Sequence, residues 1–218
     1  MRYDIHNHTW FSRCSTLDPA RLIKLAKARG LQGIGVTDHD TIKGGEYTKK
    51  INTDKDFEVI VGSEVYTDRG HVLGIFLNKD IKSRVYEEVI EEIKDQGGIS
   101  VIAHPYRYLP GAYFKWRSLD KSKLPDAIEI ANSRTNMFGN KKAKKLALEL
   151  GKPMTGGSDA HFEFEVASCY SEFEGDFRKA LLKGSTRGFG KGRGFFMAGP
   201  LSGLAKLTCM LGLRKKHG

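Results

Sequence analysis

Short β-branched runs alternate with stretches of helical periodicity along most of the chain, the pattern of an α/β architecture. Seven runs predict strands, over residues 3–6, 33–37, 58–61, 71–76, 99–103, 127–131 and 154–157. Helices are expected between them. Asp18 reads as an N-cap with Pro19 at the first helical position; Leu22, Ile23, Leu25 and Ala26 form the apolar face, and Gly30 ends the helix. Val85, Val89, Ile90 and Ile93 recur at helical spacing and stop near Gly97 and Gly98. A third helix is expected over 141–150, ahead of Gly151 and Pro153, and a fourth over 176–182.

From residue 183 to 199 the composition turns to Gly, Lys and Arg. This run lacks a strand–loop–helix context and a Gly-Lys-Ser/Thr ending, so it reads as a flexible connector rather than a phosphate-binding loop. Leu201, Leu204, Leu207 and Leu211 then set a short apolar stripe. Packing of that stripe against the body is expected, with a helix lying on an anionic membrane as the alternative. The chain therefore divides into one domain over 1–185 and a connector with an amphipathic tail over 186–218.

At 218 residues, 39% of them hydrophobic and 28% charged, the chain has the balance of a globular protein. No run approaches the roughly 18 consecutive apolar residues of a membrane span. A strand-like pattern beginning at Arg2 predicts no signal peptide. Cys14, Cys169 and Cys209 are too few and too odd for a disulfide framework, so a cytoplasmic location is expected. The net charge of +10, much of it in the last 40 residues at Arg187, Lys191, Arg193, Arg214, Lys215 and Lys216, suggests an anionic partner. Charge alone does not separate a small phosphate ester from nucleic acid, and a solubilising surface is an equal reading.

The histidines narrow the choice. Six of the seven, His6, His8, His39, His71, His104 and His161, sit in or just after predicted strands. His6 and His8 are two apart, as are Asp159 and His161, and strand residues two apart share a face. Parallel strands gather their C-terminal ends on one side of a sheet, where ligands bind. Imidazoles and carboxylates gathered there suit zinc, manganese or iron. A lone histidine beside a strand is usually a hydrogen-bonded core residue; six coincidences with strand ends make that reading poor.

These residues carry a family resemblance. Asp4-Ile5-His6-Asn7-His8-Thr9, Thr37-Asp38-His39-Asp40, Gly62-Ser63-Glu64, Ala103-His104-Pro105 and Gly157-Ser158-Asp159-Ala160-His161 resemble, in order, the motifs of the polymerase and histidinol phosphatase (PHP) family of metal-dependent phosphoesterases. The resemblance implies a distorted (β/α)7 barrel with a short C-terminal appendage and two or three divalent ions (Zn, Mn or Fe) at its strand ends. It implies that His6, His8, Glu64 and Asp159 hold the first ion, that His39 and His161 hold the second, and that Glu64, His71 and His104 complete a third. One departure stands out. Cys14 falls about where the family places a further ligand to the second ion, and the choice between a thiolate ligand and an ordinary loop residue stays open.

Such a cluster hydrolyses phosphate esters by activating water and neutralising phosphoryl charge, with no side-chain nucleophile. His39, Asp159 and His161 are the catalytic candidates, with Asp38 and Asp40 as proton carriers or, the favoured role, as groups orienting ligands. Arg107 and Arg134 are candidate phosphate contacts and Asn132 a candidate for orienting substrate or ligand, with Arg13 a weaker one. Tyr106, Tyr108, Tyr113, Phe114 and Trp116 either cap the site or form a packed loop. The leading expectation is an enzyme acting on a small phosphomonoester such as a nucleotide. Its rivals are a nuclease and a metal-stabilised module without turnover. The oligomeric state is left open.

Overall fold

The computed structural model describes residues 1–108, 113–116, 119, 123–191 and 198–213. Arg193, Arg214, Lys215 and Lys216, singled out for their charge, lie outside the described residues. The strands are β1 (Arg2–Asn7), β2 (Gly33–Val36), β3 (Glu58–Thr67), β4 (Gly70–Ile75), β5 (Ile99–Ile102), β6 (Ala127–Asn132), β7 (Met154–Gly157), β8 (Cys169–Glu172) and β9 (Arg187–Gly190). The helices are α1 (Pro19–Ala28), α2 (Lys43–Ile51), α3 (Tyr86–Asp95), α4 (Met137–Glu149), α5 (Phe177–Leu182) and α6 (Ala198–Met210).

Local chemistry accounts for the helix starts that the sequence marks. The Asp18 side chain accepts from the N–H groups of Ala20 and Arg21, and Asp176 caps α5 through the N–H of Lys179. Asn136 does the same for α4 through Gly139, which begins that helix four residues before the expected start at 141.

The strands pair in the order β7-β6-β5-β4-β3-β2-β1-β8-β9. β1, β2 and β3 run parallel, as do β5, β6 and β7. β4 runs antiparallel to both of its neighbours. The sheet curls until β7 returns to β1: the Asp159 N–H donates to the His6 carbonyl at 2.7 Å, and the His8 N–H to the Ala160 carbonyl at 2.8 Å. Ser171 of β8 fastens the same seam, accepting from the Gly156 N–H at 2.9 Å and donating to its carbonyl at 3.0 Å. The result is the nearly closed, distorted barrel that the resemblance implies.

Buried apolar side chains set which face of each helix is covered. Leu22 and Ala26 of α1 pack with Ile34, Val36 and Val59. Val89 and Ile93 of α3 join Val72, Ile102 and Ile128, as do Ala143 and Leu146 of α4. Phe177 and Leu181 of α5 cover Tyr3, Ile5, Ile99 and Val101, at the end of the barrel where the parallel strands begin. The opposite rim is left to the histidines.

Besides α2 and β8, which no expected element covers, three features depart from the expected elements. β3 continues past residue 61 to Thr67 and folds back on β4 as a hairpin. β9 extends the sheet beyond residue 185, into the stretch expected to be a flexible connector; its Phe189 stacks on Tyr170 with ring centroids 5.9 Å apart. The apolar stripe of the tail is turned outward. In α6 it is Ser202, Ala205 and Cys209 that are buried, whereas Leu201, Leu204, Leu207 and Leu211 are 42–63% exposed. The expected packing of those leucines against the body is corrected accordingly.

Candidate metal centre

Each of the six histidines reaches the rim by a nameable route. His6 is the penultimate residue of β1 and His8 lies just beyond the strand; their Nε2 atoms face each other at 3.1 Å, both residues fully buried. His39 and Asp38 follow β2, His104 follows β5, and Asp159 and His161 follow β7. His71 opens β4, and because that strand runs antiparallel, its beginning lies beside its neighbours' ends. Three strand-end residues, Asp40, His104 and Asp159, have positive φ values of 58°, 29° and 54°. Such backbone is costly for residues with a side chain and persists where the surroundings enforce it.

Glu64 sits at the centre. Its Oε1 lies 2.8 Å from His71 Nδ1 and 2.9 Å from His104 Nε2. Its Oε2 lies 3.0 Å from His39 Nδ1, 3.3 Å from His8 Nε2 and 3.6 Å from His6 Nε2. Burial alone would raise the Glu64 carboxyl, but the positive potential of His71, His6 and His39 outweighs it and holds the group well below the usual carboxylate range. Asp159 is likewise held well below its ordinary value against its burial, chiefly by Arg107 and His6. Its Oδ1 approaches His8 Nε2 at 3.3 Å, and its Oδ2 accepts from Arg107 Nη1 at 2.5 Å. His161 is pushed well below its usual range by burial and by the charges of Arg134 and His8, so its ring is kept neutral.

Four overlapping triplets have ligand atoms all within 4.8 Å of one another: His8–His39–His161, His6–His8–Glu64, His6–His104–Asp159 and Glu64–His71–His104. The donor set fits divalent cations. Two ionised carboxylates in a dry pocket need positive charge, and facing ring nitrogens cannot both carry protons toward each other. His104 Nδ1 is buried and lacks a hydrogen-bond partner. Cys14 is half-buried and belongs to none of these triplets.

A surrounding layer orients the imidazoles. His6 Nδ1 meets Glu129 Oε1 at 3.0 Å, and Glu129 Oε2 accepts from the His104 N–H at 2.9 Å and Asn132 Nδ2 at 3.0 Å. His161 Nδ1 faces the Asp159 carbonyl at 2.9 Å, leaving Nε2 for the pocket. Asp38 is occupied elsewhere: its oxygens accept from the Thr9 N–H, Thr9 Oγ1 and Ser12 Oγ at 2.7, 2.6 and 2.6 Å. That geometry ties down the loop after β1. Asp40 accepts from the Tyr66 N–H at 3.3 Å and pairs with Arg84 at 3.2 Å.

The two candidate phosphate arginines separate. Arg107, on the loop after His104, reaches Asp159 from the pocket side. Arg134 is buried, with Nε and Nη2 on the two oxygens of Glu165 at 2.8 and 2.7 Å and Nη1 on Ser202 Oγ at 3.0 Å. Glu165 in turn accepts from the His161 N–H at 2.8 Å. Through Glu165, Arg134 thus braces the loop that carries His161. Asn132 is bonded to Glu129 and lies 3.4 Å from Asp159 Oδ2. Of the aromatic segment, Phe114 is fully buried and Tyr106 and Trp116 pack on the core, while Tyr108 and Tyr113 are exposed.

Glu129, Ser12, Tyr66 and Glu165 escape the sequence reading. A signal existed for the first: an acid centred in the apolar run Ala127-Ile128-Glu129-Ile130-Ala131 must be paired if buried. Tyr66, whose hydroxyl lies 3.4 Å from His39 Nε2, belongs to the unpredicted extension of β3.

Comparison with known proteins gives two family profiles. The PHP domain matches residues 4–115, and the PHP-associated profile matches 138–188. An uncharacterized protein of Methanocaldococcus jannaschii is 41% identical over 117 residues, covering 49% of this chain and 68% of the relative. A 5'-3' exoribonuclease of Haemophilus influenzae is 33% identical over 82 residues, 36% of this chain and 30% of that enzyme. Among solved structures, a two-domain protein of Bacteroides vulgatus containing a predicted PHP-like metal-dependent phosphoesterase superposes with a TM-score of 0.72 at 22% identity. That likeness is one of fold; it covers 88% of this chain, which spans 65% of the Bacteroides protein.

Proposed function

Because the chain belongs to the PHP domain family, we propose that it hydrolyses small phosphomonoesters, such as nucleotides, with two or three divalent ions held at the barrel rim. The observation that carries this reading is the convergence of six imidazoles, Glu64 and Asp159 in one buried pocket. Zinc, manganese and iron all accept such ligands. Bound ions supply water acidic enough to ionise near neutral pH and positive charge against the phosphoryl oxygens.

The chain's own residues do the rest. His6, His8, Glu64 and Asp159 are the proposed holders of one ion, His39 and His161 of a second, and Glu64, His71 and His104 of a third, with Cys14 beside the second. Glu129 keeps the proton of His6 on Nδ1, so that Nε2 stays free to ligate. Arg107 stands where a planar fork can take two phosphate oxygens once Asp159 has turned to a cation. Asn132 fixes Glu129 and the Asp159 approach.

Likeness to an exoribonuclease over 82 residues supports a second reading, phosphodiester cleavage in RNA or DNA. One panel separates the two: phosphomonoesters and diesters assayed with protein reconstituted in manganese, zinc or iron. Hydrolysis of monoesters is expected, dependent on the added ion, and reduced about a hundredfold or more in Asp159→Ala, since that change removes charge stabilisation at the reacting centre. Glu129→Gln is expected to cost about 10–100-fold, as changes to groups orienting metal ligands do. Cleavage of polynucleotide alone would replace the first reading by the second. A folded, ion-loaded protein inert toward every ester would overturn both.

A further inference from the structure

The outer half of α6 is built the wrong way round for a helix facing water. Leu204, Leu207 and Leu211 recur at i, i+3 and i+7, Leu201 and Met210 flank them, and all five are exposed, as is Leu213. The inner side carries the polar anchor instead: Ser202 accepts from Arg134, and Ala205 and Cys209 are buried beside it. The helix is thus held to the barrel through its small and polar residues and offers its large apolar ones outward.

Charge identifies what that face meets. Ten of the 36 Lys and Arg residues and none of the 26 Asp and Glu lie after Asp176, so the final 42 residues carry the whole excess of +10 and the first 176 are balanced. Lys206 of α6 is exposed, and Arg214, Lys215 and Lys216 follow it in sequence. A second copy of the chain would bring two such basic segments together, which repulsion opposes. Nucleic acid would satisfy the charges and leave the leucines in water. An anionic bilayer satisfies both, with leucines among the acyl chains and lysines and arginines at the headgroups.

We propose that α6, with the basic residues that follow it in sequence, forms a docking surface for an anionic lipid membrane, on which the barrel rides as a peripheral protein. Among the described residues no helix is long and apolar enough to cross a membrane, so the contact is interfacial.

The test uses the full chain and vesicles of phosphatidylcholine, alone or mixed in equal parts with phosphatidylglycerol. Sedimentation with the mixed vesicles is expected, about tenfold or more above that with phosphatidylcholine alone, and weakened by raised salt. Leu204→Glu with Leu207→Glu should lower it at least about tenfold, because two buried leucines are lost from the interface. Replacing Arg214, Lys215 and Lys216 by Ser leaves the helix sequence intact and should reduce binding to the mixed vesicles alone. Unchanged binding of the leucine variant, or no binding of the intact chain to either vesicle, overturns the proposal. So does a dimer in light scattering that the leucine substitutions dissolve, since the face would then belong to a second copy. None of these readouts depends on bound metal or on turnover, so the phosphoesterase reading stands or falls separately.

Discussion

The pocket works by settling which nitrogen of each imidazole faces inward. His6 turns Nδ1 to Glu129, His161 turns Nδ1 to a carbonyl, and His8 directs Nδ1 toward Ser12 Oγ at 3.3 Å, so three Nε2 atoms are left for the centre. The same economy explains Arg134. A buried guanidinium with three donors committed to Glu165 and Ser202 braces the loop that carries His161. Removing one partner of a buried pair leaves the other charge unpaired at a cost of about 3–5 kcal/mol. Arg134→Met is therefore expected to lower the urea midpoint by that equivalent. Were Arg134 a phosphate contact instead, the same substitution would raise KM and leave the urea midpoint where it was.

At the level of elements, the approach of α2 to the rim depends on one glycine. A side chain at Gly44 would run into Asp38 Oδ2, with Thr9 Oγ1 2.7 Å from the same point. Gly44→Ala is expected to displace Asp38, loosen the loop bearing His8 and reduce bound metal per chain about tenfold by elemental analysis, the scale seen when groups behind metal ligands are disturbed. Unchanged metal content would show that α2 shifts freely. The glycine also explains why α2 was illegible in sequence: Lys43-Gly44-Gly45 is a poor helix start, chosen for fit. Strands with β-branched runs, such as Val59-Ile60-Val61, were legible because burial on both faces demands them. β8 and β9 were not, since Cys169-Tyr170-Ser171-Glu172 and Arg187-Gly188-Phe189-Gly190 carry no such run and are held by pairing to each other and, for β8, to β1. The histidine motifs were readable because spacing reports on chemistry directly. His71 belongs to the site only because β4 is reversed, and reversal is set by the Thr67–Gly70 hairpin rather than by residue type.

For the whole molecule, fold and site are coupled through charge. Every strand-end motif contributes to one pocket, and the pocket joins β1, β3, β5 and β7 across the barrel seam. Ions bound there bind the folded chain and find no equivalent in the unfolded one. At free ion concentrations 100 times the dissociation constant, one site adds about 2.7 kcal/mol to stability. For a chain of this size 1 kcal/mol corresponds to about 2–4 °C in melting temperature. Removal of ions by a chelator is thus expected to lower the melting temperature by about 5–10 °C per site, and excess manganese or zinc should restore it. Asp159→Ala should lose most of that response, because it removes a carboxylate from the centre while leaving the body of the sheet intact. A melting temperature indifferent to both chelator and metal would mean that the pocket is held together by its own histidines and carboxylates, and the coupling of stability to cations would fall with it.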